Sequence, residues 1–222
     1  MSEASETIAE GQEPSPLSLP RAELRCQVLP AILSVLLLTV ATGASFPLVL
    51  AALARPLFPY QSEGSLIAGP DGVIGSALLG QGFSGPGYFH SRPSAAGNGY
   101  DATTSGGTNL GPRNPKLRDD VRQHVADYRR QNDLSPKTLV PIDAVTHSGS
   151  GLDPHISLAN ALLQAPRIAR IRGLDEERVR QMISEHTQQR QLGFLGEVRV
   201  SVLSLNLALD RIAPHPSASS GR

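Results

Sequence analysis

One cysteine, no tryptophan and a 4% share of aromatic residues leave this 222-residue chain short of side chains on which several protein classes depend. The lone thiol, Cys26, excludes a disulfide framework and a cysteine-built zinc cluster. Nor does either sign of charge dominate. Twenty Lys and Arg balance 20 Asp and Glu, so the basic footprint of a nucleic-acid-binding protein is missing. At 40% hydrophobic residues, the chain is too apolar to be disordered throughout.

Charge is absent altogether from Cys26 to Ala54, a run dominated by Leu, Val and Ala. At ~1.5 Å per residue this run reaches about 43 Å, against a hydrocarbon core of about 30 Å. Residues 26–54 are therefore read as one membrane-spanning helix. Pro30 falls near its start, where a missing N–H costs little. Pro47 falls inside and is expected to kink the helix near Gly43, since its ring clashes with the carbonyl four residues back. Thr42, Gly43, Ala44 and Ser45 put small side chains beside that point, which suits close approach of a second helix. Ala52-Leu53-Ala54 imitates a signal-cleavage site, but the apolar run is about twice the ~7–15 residues of a signal core. Residues 1–25 hold five acids and two bases among Ser, Pro, Gly and Gln, the pattern of a disordered acidic tail. Arg21 and Arg25 before the span, against Arg55 after it, favour a cytoplasmic N-terminus and an extracytoplasmic main domain.

That domain, residues 55–212, mixes strand and helix patterns without a regular βαβ repeat, which predicts an α+β fold. Gly64 to Phe83 alternates short apolar runs with Gly-Pro and Asp-Gly, the punctuation of a β-hairpin or meander. From Tyr88 to Pro115 runs a long polar tract with neither period, whose Tyr88, Phe89, His90, Arg92, Tyr100, Asp101 and Asn109 suit an ordered recognition loop. Asn114 and Pro115 open a helix through Leu117, Val121, Val125 and Tyr128. LVPIDAVTHS, residues 139–148, reads as a strand and its exit. Ser157 and Asp175 cap two further helices, and Val198, Val200 and Val202 alternate as in a half-buried strand. The Pro- and Ser-rich residues 213–222 read as a second disordered tail.

Catalytic and ligand motifs fail one by one. Gly69, Gly72, Gly75 and Ser76 lack the lysine of a phosphate-binding loop. Ser148-Gly149-Ser150-Gly151 either turns the chain or offers backbone N–H groups to an anion or a partner carbonyl. None of the six histidines pairs as H-x3-H or HExxH, so no metal site is indicated. Gly149-Ser150-Gly151 lacks the spacing of a nucleophile elbow, and no hydrolase is read here. Arg167, Arg170 and Arg172 are expected on a solvated helix face, or else against a partner or anionic headgroups.

Several segments nevertheless recur together in a fixed order. They are Gly64-Ser65-Leu66-Ile67, Leu79-Gly80-Gln81-Gly82-Phe83, Tyr88 to Ala95, Tyr100-Asp101-Ala102 and Asn109-Leu110-Gly111-Pro112, followed by Ser148 to Ser157 and Asn206 to Asp210. The series resembles the C subunit of the Kdp potassium-transporting P-type ATPase, over some four-fifths of the chain. The resemblance implies a non-catalytic accessory subunit that assembles and stabilises the complex. It also implies a catalytic chaperone that raises the ATP affinity of the ATP-hydrolysing B subunit, beside a potassium-translocating A subunit. By the same resemblance no cofactor is held by this chain alone, and ATP is met only in a transient complex with the B subunit. The implied docking or stabilising surface toward the A subunit comprises Tyr88, Phe89, His90, Arg92 and Asn109 with Gly149, Ser150, Gly151, Asp153 and His155. Gly43 and Pro47 are expected to pack the span. The implied location is the cell inner membrane, crossed once. The alternative is an anchored extracytoplasmic binding domain outside any transporter.

Overall fold

The computed structural model describes residues 21–69 and 72–213, and contacts divide the chain at Ser62/Glu63. The acidic tail read over 1–25 lies outside the described residues as far as position 20, and the terminal tail lies outside them beyond Ala213.

The first unit is a continuous helix built as α1 (Arg21–Leu38), a π-helical stretch (Thr39–Ser45) and α2 (Phe46–Leu57), followed by the short α3 (Pro59–Ser62). Its stretch Cys26–Leu57 is long and apolar enough to cross a membrane, and its large side chains are exposed throughout. Two expectations shift. Helix begins at Arg21, so Pro30 lies nine residues inside rather than near the start. The distortion tied to Pro47 takes the form of the π stretch containing Gly43. Widening the turn moves backbone away from the proline ring, and hydroxyls fold back onto it: Thr42 donates to the Leu38 carbonyl at 2.6 Å and Ser45 to that of Val40 at 3.2 Å.

The second unit opens with the predicted hairpin, β1 (Leu66–Gly69) and β2 (Gly72–Ser76), with a register shift between Ile67 and Ala68. Helix α4 (Pro115–Gln131) starts where the sequence places it, with Asn114 Oδ1 accepting from the Lys116 N–H at 2.9 Å. A three-stranded antiparallel sheet follows in the order β3 (His155–Ser157), β5 (Arg199–Ser201), β4 (Thr187–Gln188). Helices α5 (Leu158–Arg172), α6 (Glu176–Glu185) and α7 (Val202–Ile212) pack around it. Ser157 caps α5 and Asp175 caps α6, as expected, and Gly173 ends α5 at φ +66°.

The core gathers Ile156 and Val200 of the sheet with Ala161, Ala165 and Ile168 of α5, Val179, Met182 and Ile183 of α6, and Val202, Leu205 and Leu209 of α7. Phe89 joins them from the long loop. A smaller cluster joins Tyr128 of α4 to Ala144 and Val145.

One strand expectation fails and a second is shortened. Residues 139–148 form a 3₁₀ turn, Ile142–Ala144, because Pro141 has no N–H for a ladder and Asp143 is drawn inward. Its carboxylate accepts from Ser157 N–H and Oγ at 2.8 Å each and from Asn160 Nδ2 at 2.9 Å. Alternation at Val198–Val202 ends early: β5 is three residues long, and Val202, Leu205 and Leu209 continue at helical spacing.

Candidate functional site

Residues 77–114 contain no helix or strand, yet several of their backbone groups are paired. Side chains of α5 and α7 do what a neighbouring strand would do. Asn206 accepts from the Phe89 N–H through Oδ1 and donates from Nδ2 to the Phe89 carbonyl, both at 2.9 Å. One residue on, the His90 N–H donates to Gln164 Oε1 at 2.8 Å, and Gln164 Nε2 donates to the His90 carbonyl at 3.2 Å. Asn206 and Gln164 are both 1% exposed, so each clasp is made away from water. A network backs them: Gln164 Nε2 also reaches Asn160 Oδ1 at 2.9 Å, and the Tyr128 hydroxyl donates to the same oxygen at 2.8 Å. Burial, and the charge of Asp143, push the Tyr128 hydroxyl well above its ordinary range, which keeps it a neutral donor.

The expectation of a solvated Arg167–Arg172 face is overturned. Arg167 is 3% exposed and the Arg172 side chain 1%; Arg170 stays outside, paired with Asp133 at 2.5 Å. Arg167 donates to the carbonyls of Tyr88, at 3.0 Å, and Pro86, and through Nε to Asn132 Oδ1 at 2.8 Å. Burial pulls its guanidinium down to about 10, still charged at neutral pH. Arg172 donates from Nε to the Gly87 carbonyl at 2.8 Å, pairs with Asp210 at 2.8 Å and lies 4.6 Å from the Tyr88 ring centroid. Tyr88 in turn donates to Asp210 Oδ2 at 3.1 Å.

A second clasp holds the SGSGLDPH loop. Arg92 pairs with Asp153 Oδ2 at 2.9 Å, while Asp153 Oδ1 accepts from the His155 N–H at 3.0 Å. Burial alone would raise the Asp153 carboxyl, but these bonds from His155 and Arg92 outweigh it and hold it at about 2. Gly151 sits at φ +69°, where a Cβ would fall 2.7 Å from both the Ala96 nitrogen and the Gly106 oxygen. The Gly106 N–H donates to the Ser150 carbonyl at 2.9 Å, and the Ser94 hydroxyl donates to the Gly151 carbonyl at 2.6 Å. The glycine-rich run thus turns the chain, and its Ser150 carbonyl is spent on residue 106.

The anticipated residues divide by exposure. Phe89 and Gly151 are buried, and Tyr88, His90, Arg92, Asp153 and His155 are partly covered. Asn109, Gly149 and Ser150 face solvent, with Asn109 in the left-handed region at φ +52°. Gly43 and Pro47 belong to the other unit. The clasping residues Gln164, Asn206 and Arg167 were not singled out as site residues from sequence; polar residues inside strongly apolar helical patterns are the signal that marks them. Ring contact between His124 and His147, centroids 5.3 Å apart, joins residues 23 positions apart that no spacing motif connects. A cleft of about 310 Å³ beside the clasps is lined by His90, His124, Tyr100 and Tyr128.

A helix of membrane-crossing length and an α+β unit that spends its buried polar groups on fixing loop shape define a class of protein: a domain with a preformed loop surface and a candidate membrane anchor. The family model described as the K+-transporting ATPase, c chain (KdpC), matches residues 28–211, and the chain belongs to that family. Among similar proteins, the potassium-transporting ATPase KdpC subunit of Mycobacterium tuberculosis (strain H37Rv) is 52% identical over 85% of this chain and 100% of its own length. Those of Koribacter versatilis and Caulobacter vibrioides (strain NA1000) are 47% and 50% identical, over 87% and 86% of this chain and 99% and 97% of their own lengths.

Proposed function

We propose that this chain is the accessory, non-catalytic C subunit of a high-affinity, ATP-driven potassium-uptake complex, placed beside a potassium-translocating A subunit and an ATP-hydrolysing B subunit. Family membership supports this reading over an anchored binding domain outside any transporter. The observation that carries the docking role is the double carboxamide clasp on Phe89 and His90. It fixes a loop in one shape before any partner arrives, which lowers the ordering cost of association. The docking surface includes the exposed Asn109, Gly149 and Ser150, while Arg92, Asp153 and His155 hold it in place.

The chain crosses the inner membrane once with its N-terminus cytoplasmic, as the basic residues Arg21 and Arg25 favour. Its catalytic-chaperone effect, a higher ATP affinity of the B subunit, then acts through the span, the N-terminal tail or the A subunit, because the folded unit and nucleotide lie on opposite sides.

Gly149→Arg tests the surface. A Cβ at Gly149 meets nothing within 4 Å and φ there is unexceptional, so the fold tolerates the bulk. The variant is expected to keep its melting temperature and to lose at least about tenfold in co-purification with the other subunits, on the order of 1.4 kcal/mol. Unchanged recovery of the complex, together with unchanged potassium uptake, would show that the loop is not a contact.

A further inference from the structure

Strands β4 and β5 lead into residues 189–198, which turn back on themselves. Gln191 and Leu195 exchange both backbone hydrogen bonds at 2.9 Å, and Leu192, Gly193 and Phe194 form the turn between them. At this tip Leu192 is 82% exposed, Phe194 69% and Leu195 47%. Leu192 also sits at φ +53°, in the left-handed region that disfavours leucine and that Gly or Asn enters readily. A large apolar side chain is therefore held where solubility and local backbone energy both oppose it. Such an outlier points to a function outside the fold's own stability.

Charge and size narrow the occupant. Arg190 is paired with Glu197 at 3.5 Å across the base of the turn, Arg199 donates to Gln188 at 3.0 Å, and Gln189, Gln191, Gly196 and Val198 carry no charge. No free cluster of bases is offered to anionic headgroups, which argues against a lipid surface. Three side chains of this size and exposure present on the order of 400 Å², about half of the ~800 Å² per partner in a stable interface. That is too little to hold two copies of the chain together through the tip. It suits a knob that fills a preformed socket within a larger interface, as buried apolar anchors do.

We propose that the Leu192–Leu195 tip inserts into an uncharged, apolar socket on another subunit of the potassium-transporting ATPase. This rests on the family-based reading above and adds a contact distinct from the Gly149–Ser150 loop.

The test is the full chain with Leu192→Asn and Phe194→Ser, compared with wild type and with a conservative Leu192→Met, Phe194→Leu variant. Asn tolerates the left-handed region, so the first variant is expected to keep the wild-type melt of the detergent-solubilised chain. Its co-purification with the other subunits from mild detergent should fall at least about tenfold, and the conservative variant should restore it. Recovery of the polar variant at the wild-type level overturns the proposal. So does a wild-type dimer that the substitutions abolish. If wild type itself recovers no other subunit, the family-based reading fails first, and the two failures are thereby told apart.

Discussion

Asn206 and Gln164 illustrate how much of this structure rests on single polar side chains. Each bonds both the donor and the acceptor of one loop residue inside the protein. Asn206→Ala would leave the Phe89 N–H and carbonyl buried without partners, at a cost of about 2–4 kcal/mol. The expected result is a melting temperature lower by about 5–10 °C in the detergent-solubilised chain; a loss under about 1 °C would mean that water replaces the clasp. Protonation acts at the same scale. Burial, and the positive charge of Arg167, hold the His90 imidazole below its ordinary value; burial, and the neighbouring His124, do the same for His147. Groups with folded-state values below the unfolded one (~6.5) contribute stability that is complete above that value and is lost as pH falls through it. Melting should therefore fall between pH 7.5 and 5.5, and His147→Ala should flatten that dependence. A melting temperature that rises on acidification would contradict the assignment. Asp153 titrates in a separate window. Its contribution is present above about pH 4 and drains as pH falls toward 2, so Arg92→Ala should move acid unfolding to higher pH.

At the scale of elements, the caps and turns were legible because their chemistry is local. Asn114, Ser157 and Asp175 begin helices where they stand, and β1 pairs with β2 as a hairpin. What was not legible depends on partners far along the chain. The 3₁₀ turn at Ile142–Ala144 exists because Asp143 meets Ser157 and Asn160, and the burial of Arg167 is set by carbonyls about 80 positions earlier. The π stretch falls between these cases. Pro47 announced a distortion near Gly43, but the form it takes, seven residues of wider turn, follows from backbone that can slip by one hydrogen bond. Pro47→Leu would return an N–H to the helix. Amides of Thr39–Ser45 should then exchange with deuterium at least about tenfold more slowly in micelles; unchanged exchange would show that the π stretch does not depend on the proline.

For the whole molecule, the family motifs carried the functional reading, and the structure changes what they are taken to do. Most of SGSGLDPH and YFHSRPSA turns inward as framework, with only Asn109, Gly149 and Ser150 of the anticipated surface facing water. The exposed Leu192–Leu195 tip was not legible because Leu192, Phe194 and Leu195, interleaved with glycines between polar flanks, show no helical or strand period. Orientation has its own check. In a Cys26→Ala background, Ser150→Cys should react with an impermeant maleimide in intact cells after outer-membrane permeabilisation. Reaction only after lysis would place the folded unit in the cytoplasm.

The central claim is membership of a working potassium pump, and gentle purification of the tagged wild-type chain tests it most directly. That chain should co-elute with a potassium-translocating and an ATP-hydrolysing subunit, in a fraction whose ATPase activity is stimulated by potassium. A chain that elutes alone, without potassium-stimulated ATPase activity, from membranes that contain those subunits would contradict it.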